Sequence, residues 1–270
     1  MDLVLTATAL CVAMMFCLWL IHFPLRNAAI VDAGWSLGMP LCAFVYALKG
    51  GGWPDRAWLL VAMTTLWGLR LGGYLLFTRV FGHPEEGRYV ALREKWKTNV
   101  PLKFLLFYEV QALLCGILSL PYLLASTNPN PGFSVFEYTG AALWSIGWVG
   151  ESLADWQLWN FKSNPANKSK TCRVGLWNYS RHPNYFFEFI VWIGWGVYAL
   201  NSPNGYWGLA SAFVMYFFLM KVTGIRPTEA QALKTKGEDY IRYQQSTNAF
   251  IPWFPHDVQK SRQATARSAE

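Results

Sequence analysis

The run LVLTATALCVAMMFCLWLIHF, residues 3–23, contains no Asp, Glu, Lys or Arg. As a helix it is long enough to cross the hydrocarbon core of a bilayer, which takes about 20 residues. It is too long for the apolar centre of a cleaved signal, and a second apolar run opens a few residues later, so it is expected to stay as a first membrane span. Working outward along the chain, further apolar runs fall at 29–48, 57–78, 102–124, 135–158, 184–201 and 206–224. Each is bounded by Pro, Gly, Asn or charged residues, such as Pro24, Gly50-Gly51-Gly52-Trp53-Pro54 and Asn128-Pro129-Asn130-Pro131-Gly132.

Composition agrees. Residues are 53% hydrophobic and 14% charged, where a soluble domain carries about 25% charged. The 15 Trp, 18 Phe and 13 Tyr suit membrane–water interfaces. The expected fold is an all-α integral membrane protein, a bundle of seven transmembrane helices forming one domain over 1–255. Residues 256–270 are polar without apolar periodicity and are expected to form a mobile tail.

Charge orients the bundle. With the N-terminus outside, the inside segments 24–28, 79–103, 159–183 and 221–270 hold 20 of the 23 Lys and Arg. The outside loops hold only Lys49 and Arg56, and Arg70 lies within a span. This is the positive-inside pattern, with the C-terminus cytoplasmic. The net charge of +7 therefore coats one membrane face, where membrane lipids are the expected contact and nucleic acid is not. The basic density of 159–183, interleaved with Asn, Ser and Tyr, exceeds what topology needs and suits a polyanion such as a phosphorylated cofactor.

Cys11, Cys17, Cys42 and Cys115 lie in apolar runs and Cys172 in a polar loop, without a CxxC pair or a Cys/His cluster. Neither a disulfide framework nor a metal site is expected. Asp32, Arg70, Glu109, Glu151 and Asp155 sit within or at the edge of spans. Charges there face a bundle interior or a cavity. Internal ion pairs, Arg70 with Asp32 or Glu109, are the bland explanation; five such groups point further, to a site. Arg70 and Tyr74 share one helix face, as do Glu151 and Asp155.

Residues 155–188 are the most informative: DWQLWNFKSNPANKSKTCRVGLWNYSRHPNYFFE. Gly175 can supply a tight turn, and Pro183 suits the first turn of a helix. Asn184 and Glu188 are four apart at the mouth of that helix, preceded by Arg181 and His182, where a helix N-terminus favours anions. The arrangement reads as a ligand clamp.

This block resembles the steroid 5-alpha-reductase-like membrane protein family, whose bacterial branch carries Gly-Leu-Trp-x-Tyr-Ser-Arg-His-Pro-Asn-Tyr-x-x-Glu after Ala-Asp-x-Gln-x-x-x-Phe-Lys. The resemblance extends to Val31-Asp32, Trp67-Gly68-Leu69-Arg70, Arg88-Tyr89, Arg93-Glu94-Lys95-Trp96 and the segment from Glu238 to Pro252. It implies a seven-span reductase in a membrane, here a bacterial inner membrane, with NADPH bound on the cytoplasmic side. Hydride would pass to a conjugated carbon–carbon double bond of a steroid-like or other lipophilic small molecule. By the same resemblance Asp155, Lys162, Tyr179, Arg181, His182, Asn184, Glu188 and Tyr243 would line the cofactor site, with Arg79 and Glu229 added. No GxGxxG turn is present, in keeping with a family that does not use the dinucleotide fold.

Reducing an enone builds negative charge on its oxygen, so an acid or donor is needed there. The resemblance places an acid at Asp32 and a Tyr on the third span. The Tyr position falls near Trp67, whose N–H can donate but not deliver a proton as Tyr does; either Tyr74 or Tyr108 substitutes, or the substrate is not a steroid enone. Two alternatives stay open. Membrane methyltransferases of the isoprenylcysteine and phospholipid type share an Arg-His-Pro-x-Tyr block and use S-adenosylmethionine. A non-catalytic lipid- or sterol-binding relative is the other.

Overall fold

The structure, a computed structural model, describes residues 2–256; the expected C-terminal tail lies, but for its first residue, outside the described residues. Among these the chain is all-helical, without a strand. Five helical segments are long and apolar enough to cross a membrane: Asp2–Leu25, Ile30–Lys49, Pro54–Val80, Val100–Leu118 and Gly205–Lys236. The chain is therefore a membrane protein by the length and composition of its helices.

In chain order these are α1 (Asp2–Leu25), α2 (Ile30–Lys49) and α3 (Pro54–Leu75), followed by a π-turn at Leu76–Val80. Then come α4 (Gly87–Trp96), α5 (Val100–Leu118) and α6 (Leu120–Ser126). The chain continues with α7 (Val135–Ser163), α8 (Pro183–Tyr198), α9 (Leu209–Phe217), α10 (Ile225–Lys236) and α11 (Glu238–Ser246). The run expected as one span at 102–124 is broken at Ser119, because Pro121 lacks the N–H that would continue the α-helical ladder. Two further expected spans form α7, which carries Glu137, Glu151, Asp155 and Lys162, and α8, which has 16 residues.

The chain falls into two compact units: Met1–Gly140 with Trp195–Ser211, and Ala141–Gly194 with Ala212–Glu270. In the first, α2 is wrapped closely by α1, α3 and α5 through small residues, as membrane helices pack. A Cβ on Gly38 would stand 2.6 Å from the Cys115 sulfur, and one on Gly68 would stand 2.5 Å from the Ser36 carbonyl. The start of α3 is clamped by a fully buried ion pair, Arg56 Nε to Glu137 at 2.6 Å. Arg56 also donates to the carbonyls of Asn128 at 3.0 Å and Gly132 at 2.9 Å. Each of its three guanidinium nitrogens thus has an acceptor inside the fold.

In the second unit α7 meets α8 at Gly147 and Gly150, which lie against Val191 and Phe187. The 164–182 loop is held to α7 by Trp177, whose indole donates to the Ala154 carbonyl at 2.9 Å. It is held to α11 by Asp239, which accepts from Thr171 N at 2.7 Å and from Arg173 at 3.1 Å. The segment after α11 returns to the same loop, where Arg181 N donates to the Asn248 carbonyl at 2.8 Å and Ser180 Oγ to that of Phe250 at 2.8 Å.

Candidate functional site

In the second unit, α7 and α8 each present acidic and amide groups at helical spacing. Asn184 sits in the first turn of α8, where Pro183 fixes the entry. Its Nδ2 donates to Asp155 Oδ1 at 3.2 Å, while its Oδ1 is buried without a partner. One turn further, Glu188 Oε1 accepts from the Trp192 indole at 2.8 Å. Asp155 is 5% and Glu188 5% exposed. Two facing helices of one unit thus bring Asn184 onto Asp155, with Glu188 one turn along α8 on the Trp192 indole.

The Arg181–His182 pair is held differently from the sequence expectation of an exposed mouth. Arg181 Nε donates to Glu229 at 2.7 Å, and Nη1 to the carbonyls of Gln244 at 3.2 Å and Thr247 at 2.6 Å. His182 Nε2 lies 3.2 Å from the same Glu229 oxygen, and its ring stacks on Tyr185. Gln244 completes the cluster, donating to Glu229 at 2.8 Å. Arg181, His182 and Glu229 therefore tie α10 and the segment after α11 to the loop before α8. Burial lowers the His182 pKa, outweighing the Glu229 carboxylate that raises it, so the ring is neutral at pH 7.

Tyr243 is also structural in its contacts: buried, its hydroxyl donates to the carbonyls of Trp177 and, at 3.0 Å, Ser180. Tyr179 is half-open at 39% exposed, edge-on to Phe254. Lys162 is exposed at the last turn of α7. Lys168, Lys170 and Arg173 are exposed along the loop that follows, with Arg173 on Asp239 at 3.1 Å.

Asp32, Tyr74 and Arg79 belong to the first unit. Asp32 lies in the first turn of α2 and is paired with Arg88 from α4, rather than with Arg70. Its other oxygen accepts from the Tyr89 hydroxyl at 2.8 Å. The phenol on Asp32 is thus Tyr89's; Tyr108 spends its hydroxyl on the Ala28 carbonyl at 2.9 Å, and Tyr74 is half-buried on α3. Arg79 meets Glu86 at 3.2 Å. Beside them Glu85 accepts from Ala28 N at 2.7 Å and from the Arg93 guanidinium at 2.7 and 3.0 Å, locking α4 to the start of α2. Burial raises the Glu85 pKa, but the Arg93 and Ala28 hydrogen bonds more than offset it and the group ends below its ordinary value.

Sequence reasoning gave no role to Arg88, Tyr89, Glu85 or Gln244. Arg88 and Tyr89 stand in a polar loop helix 56 and 57 residues from Asp32, and no periodicity connects them.

Comparison with known proteins gives the lineage and no activity. A family model described as "Protein of unknown function (DUF1295)" matches residues 18–247. Two proteins of Schizosaccharomyces pombe are similar. "Uncharacterized protein C9.08c" is 28% identical over 144 residues, 48% of this chain and 48% of that protein. "Uncharacterized protein C594.04c" is 25% identical over 209 residues, 65% of this chain and 58% of that protein. The chain spans about half the length of these curated relatives. No solved structure matches. Since the family model covers most of the chain, from the end of α1 to the end of α11, this protein belongs to the DUF1295 family of proteins of unknown function.

Proposed function

We propose that this protein is a membrane reductase that binds NADPH and reduces a conjugated double bond of a lipophilic substrate, in line with its steroid 5-alpha-reductase-like sequence block. The observation that carries the reading is the Asp155–Asn184–Glu188 set. It is a buried group of acceptors and an amide in which Asn184 Oδ1 awaits a donor. A carboxamide, such as the nicotinamide end of the cofactor, offers both the donor and the acceptor that this set can use. The exposed Lys162, Lys168, Lys170 and Arg173 suit the phosphates of the same molecule. When bound, NADPH supplies the hydride.

The chain's own part is to hold and to polarise. Asp155, Asn184 and Glu188 orient the carboxamide end. Arg181 and Glu229 shape the loop that carries the basic residues. In the first unit the donors beside Asp32 are Tyr89 and Arg88, and donors of this kind stabilise charge developing on a substrate oxygen. The full reading has seven spans with the N-terminus outside and the basic loops on the cytoplasmic side.

The methyltransferase reading keeps one observation in its favour, the partly buried Arg181–His182–Glu229 cluster formed by the Arg-His-Pro block. Thermal unfolding of the purified protein in nanodiscs, with NADPH or S-adenosylmethionine, separates the two. A ligand at 100 times its Kd stabilises by about 2.7 kcal/mol. NADPH is expected to stabilise, and stabilisation by S-adenosylmethionine alone would overturn the reductase reading.

A further inference from the structure

Helix α7 carries Trp144, Trp148, Glu151 and Asp155 within about 60° of one another around its axis, at 3.6 residues per turn. Asp155 belongs to the proposed cofactor set. Trp148 and Trp144 lie about 10 and 16 Å further along the same face, at 1.5 Å per residue. Their rings stack, with centroids 5.9 Å apart and planes 17° apart.

Trp144 is only 7% exposed, and the Nε1 atoms of both Trp144 and Trp148 are shut off from solvent without a hydrogen-bond partner. Other indoles of this unit are satisfied, Trp177 by the Ala154 carbonyl and Trp192 by Glu188. A buried donor left unpaired costs about 1–3 kcal/mol. Phe at both positions would keep the ring stack without that cost. Two orphan donors on stacked rings therefore call for an acceptor from outside the chain, and in a membrane protein, shut off from water, that acceptor is a lipid-soluble one.

We infer that Trp144 and Trp148 anchor a lipid-soluble carbonyl compound, whose oxygen accepts from the indole N–H groups while its apolar skeleton lies along the α7 face. As a binding site it stands on the two indoles alone and does not rest on the function proposed above, which places the substrate oxygen beside Asp32. Carbonyl-labelled cholestenone, a ring enone, serves as the probe, and cholestane, its oxygen-free skeleton, as the control, with the full chain in nanodiscs.

The infrared carbonyl band of cholestenone is expected at lower frequency with the wild-type protein than in empty nanodiscs. In the W144F/W148F variant the shift should vanish. Retention of cholestenone relative to cholestane should also fall about fivefold to tenfold, the effect of about 1 kcal/mol for the loss of such a bond. NADPH affinity should not change. A wild-type band identical to that in empty nanodiscs overturns the site, and this arm needs no variant. A shift that persists in the double variant, or in both single variants should the double not fold, overturns it as well. Failure of the wild-type protein to bind NADPH, with the band shift intact, removes the reductase reading and leaves the carbonyl site.

Discussion

The Tyr89 hydroxyl donates to Asp32 Oδ1 at 2.8 Å, while Arg88, its neighbour in sequence, pairs with the other carboxylate oxygen. One turn of α4 thus engages both faces of the acid in the first turn of α2. If these groups meet the substrate oxygen, Tyr89→Phe and Asp32→Asn should each lower NADPH consumption with a membrane-lipid extract by about tenfold or more, the scale of losing a positioned acid or donor. NADPH affinity should stay within about twofold, because removing an interaction made at the reacting centre spares binding elsewhere. Equal loss of both quantities would make the dyad a structural latch.

Asn184 and Arg181, three residues apart, should behave oppositely. Asn184→Ala removes one side-chain hydrogen bond and leaves α8 in place. It should weaken NADPH binding about tenfold while costing about 1 kcal/mol of stability. Arg181→Ala removes the charged partner of Glu229 and the side-chain donor to two carbonyls, and should cost about 2–4 kcal/mol. Chemical denaturation alongside an NADPH titration measures both; a stable Arg181→Ala protein with weakened cofactor binding would restore Arg181 as a direct ligand.

His182 sets a pH limit. Its pKa is lowered in the folded chain, so the unfolded chain binds the proton more readily. The stabilising contribution is full above the unfolded value, about 6.5, and is lost as pH falls through the lower folded value. Thermal unfolding at pH 8 and pH 5 should show the wild type losing more stability than His182→Gln. An identical loss would exclude His182 as its source.

The Arg56–Glu137 pair has both side chains fully buried. Arg56→Ala should cost about 3–5 kcal/mol, since it strands a buried carboxylate. An Arg56→Met, Glu137→Leu double variant should recover most of that, as apolar replacements of buried pairs do. Unfolding in detergent or urea tests this; a double variant as unstable as Arg56→Ala would show that the carbonyls of Asn128 and Gly132 depend on the guanidinium itself.

What could be read in the sequence follows the range of the interaction. Apolar run length marks the helices, because each satisfies its own backbone within one segment. The Glu151/Asp155 and Asn184/Glu188 stripes follow from spacing on a single helix. The break at Ser119 is a local effect of Pro121 that the apolar run conceals. Pairings across the chain were not legible: Arg88 with Asp32 spans 56 residues and Arg181 with Glu229 spans 48. Many Arg and acids of similar local setting compete for such partners, and only the packed helices choose among them. The same limit applies to Trp144 and Trp148, which read as ordinary apolar residues until their N–H groups are seen to lack acceptors.

The first unit is completed by residues from 195 onward: the Trp195 ring meets Trp67 at 5.1 Å and Tyr122 at 5.2 Å, and the Tyr198 hydroxyl donates to the Arg56 carbonyl at 3.0 Å. Between Gly140 and Trp195 the chain builds about half of another unit. During synthesis the first helices must therefore wait in the membrane, for a matter of seconds at about 5–20 residues per second, with the Trp67 face uncovered. Chaperones or insertion machinery would meet that half-built surface, and a ribosome stalled before Trp195 would leave it permanently open.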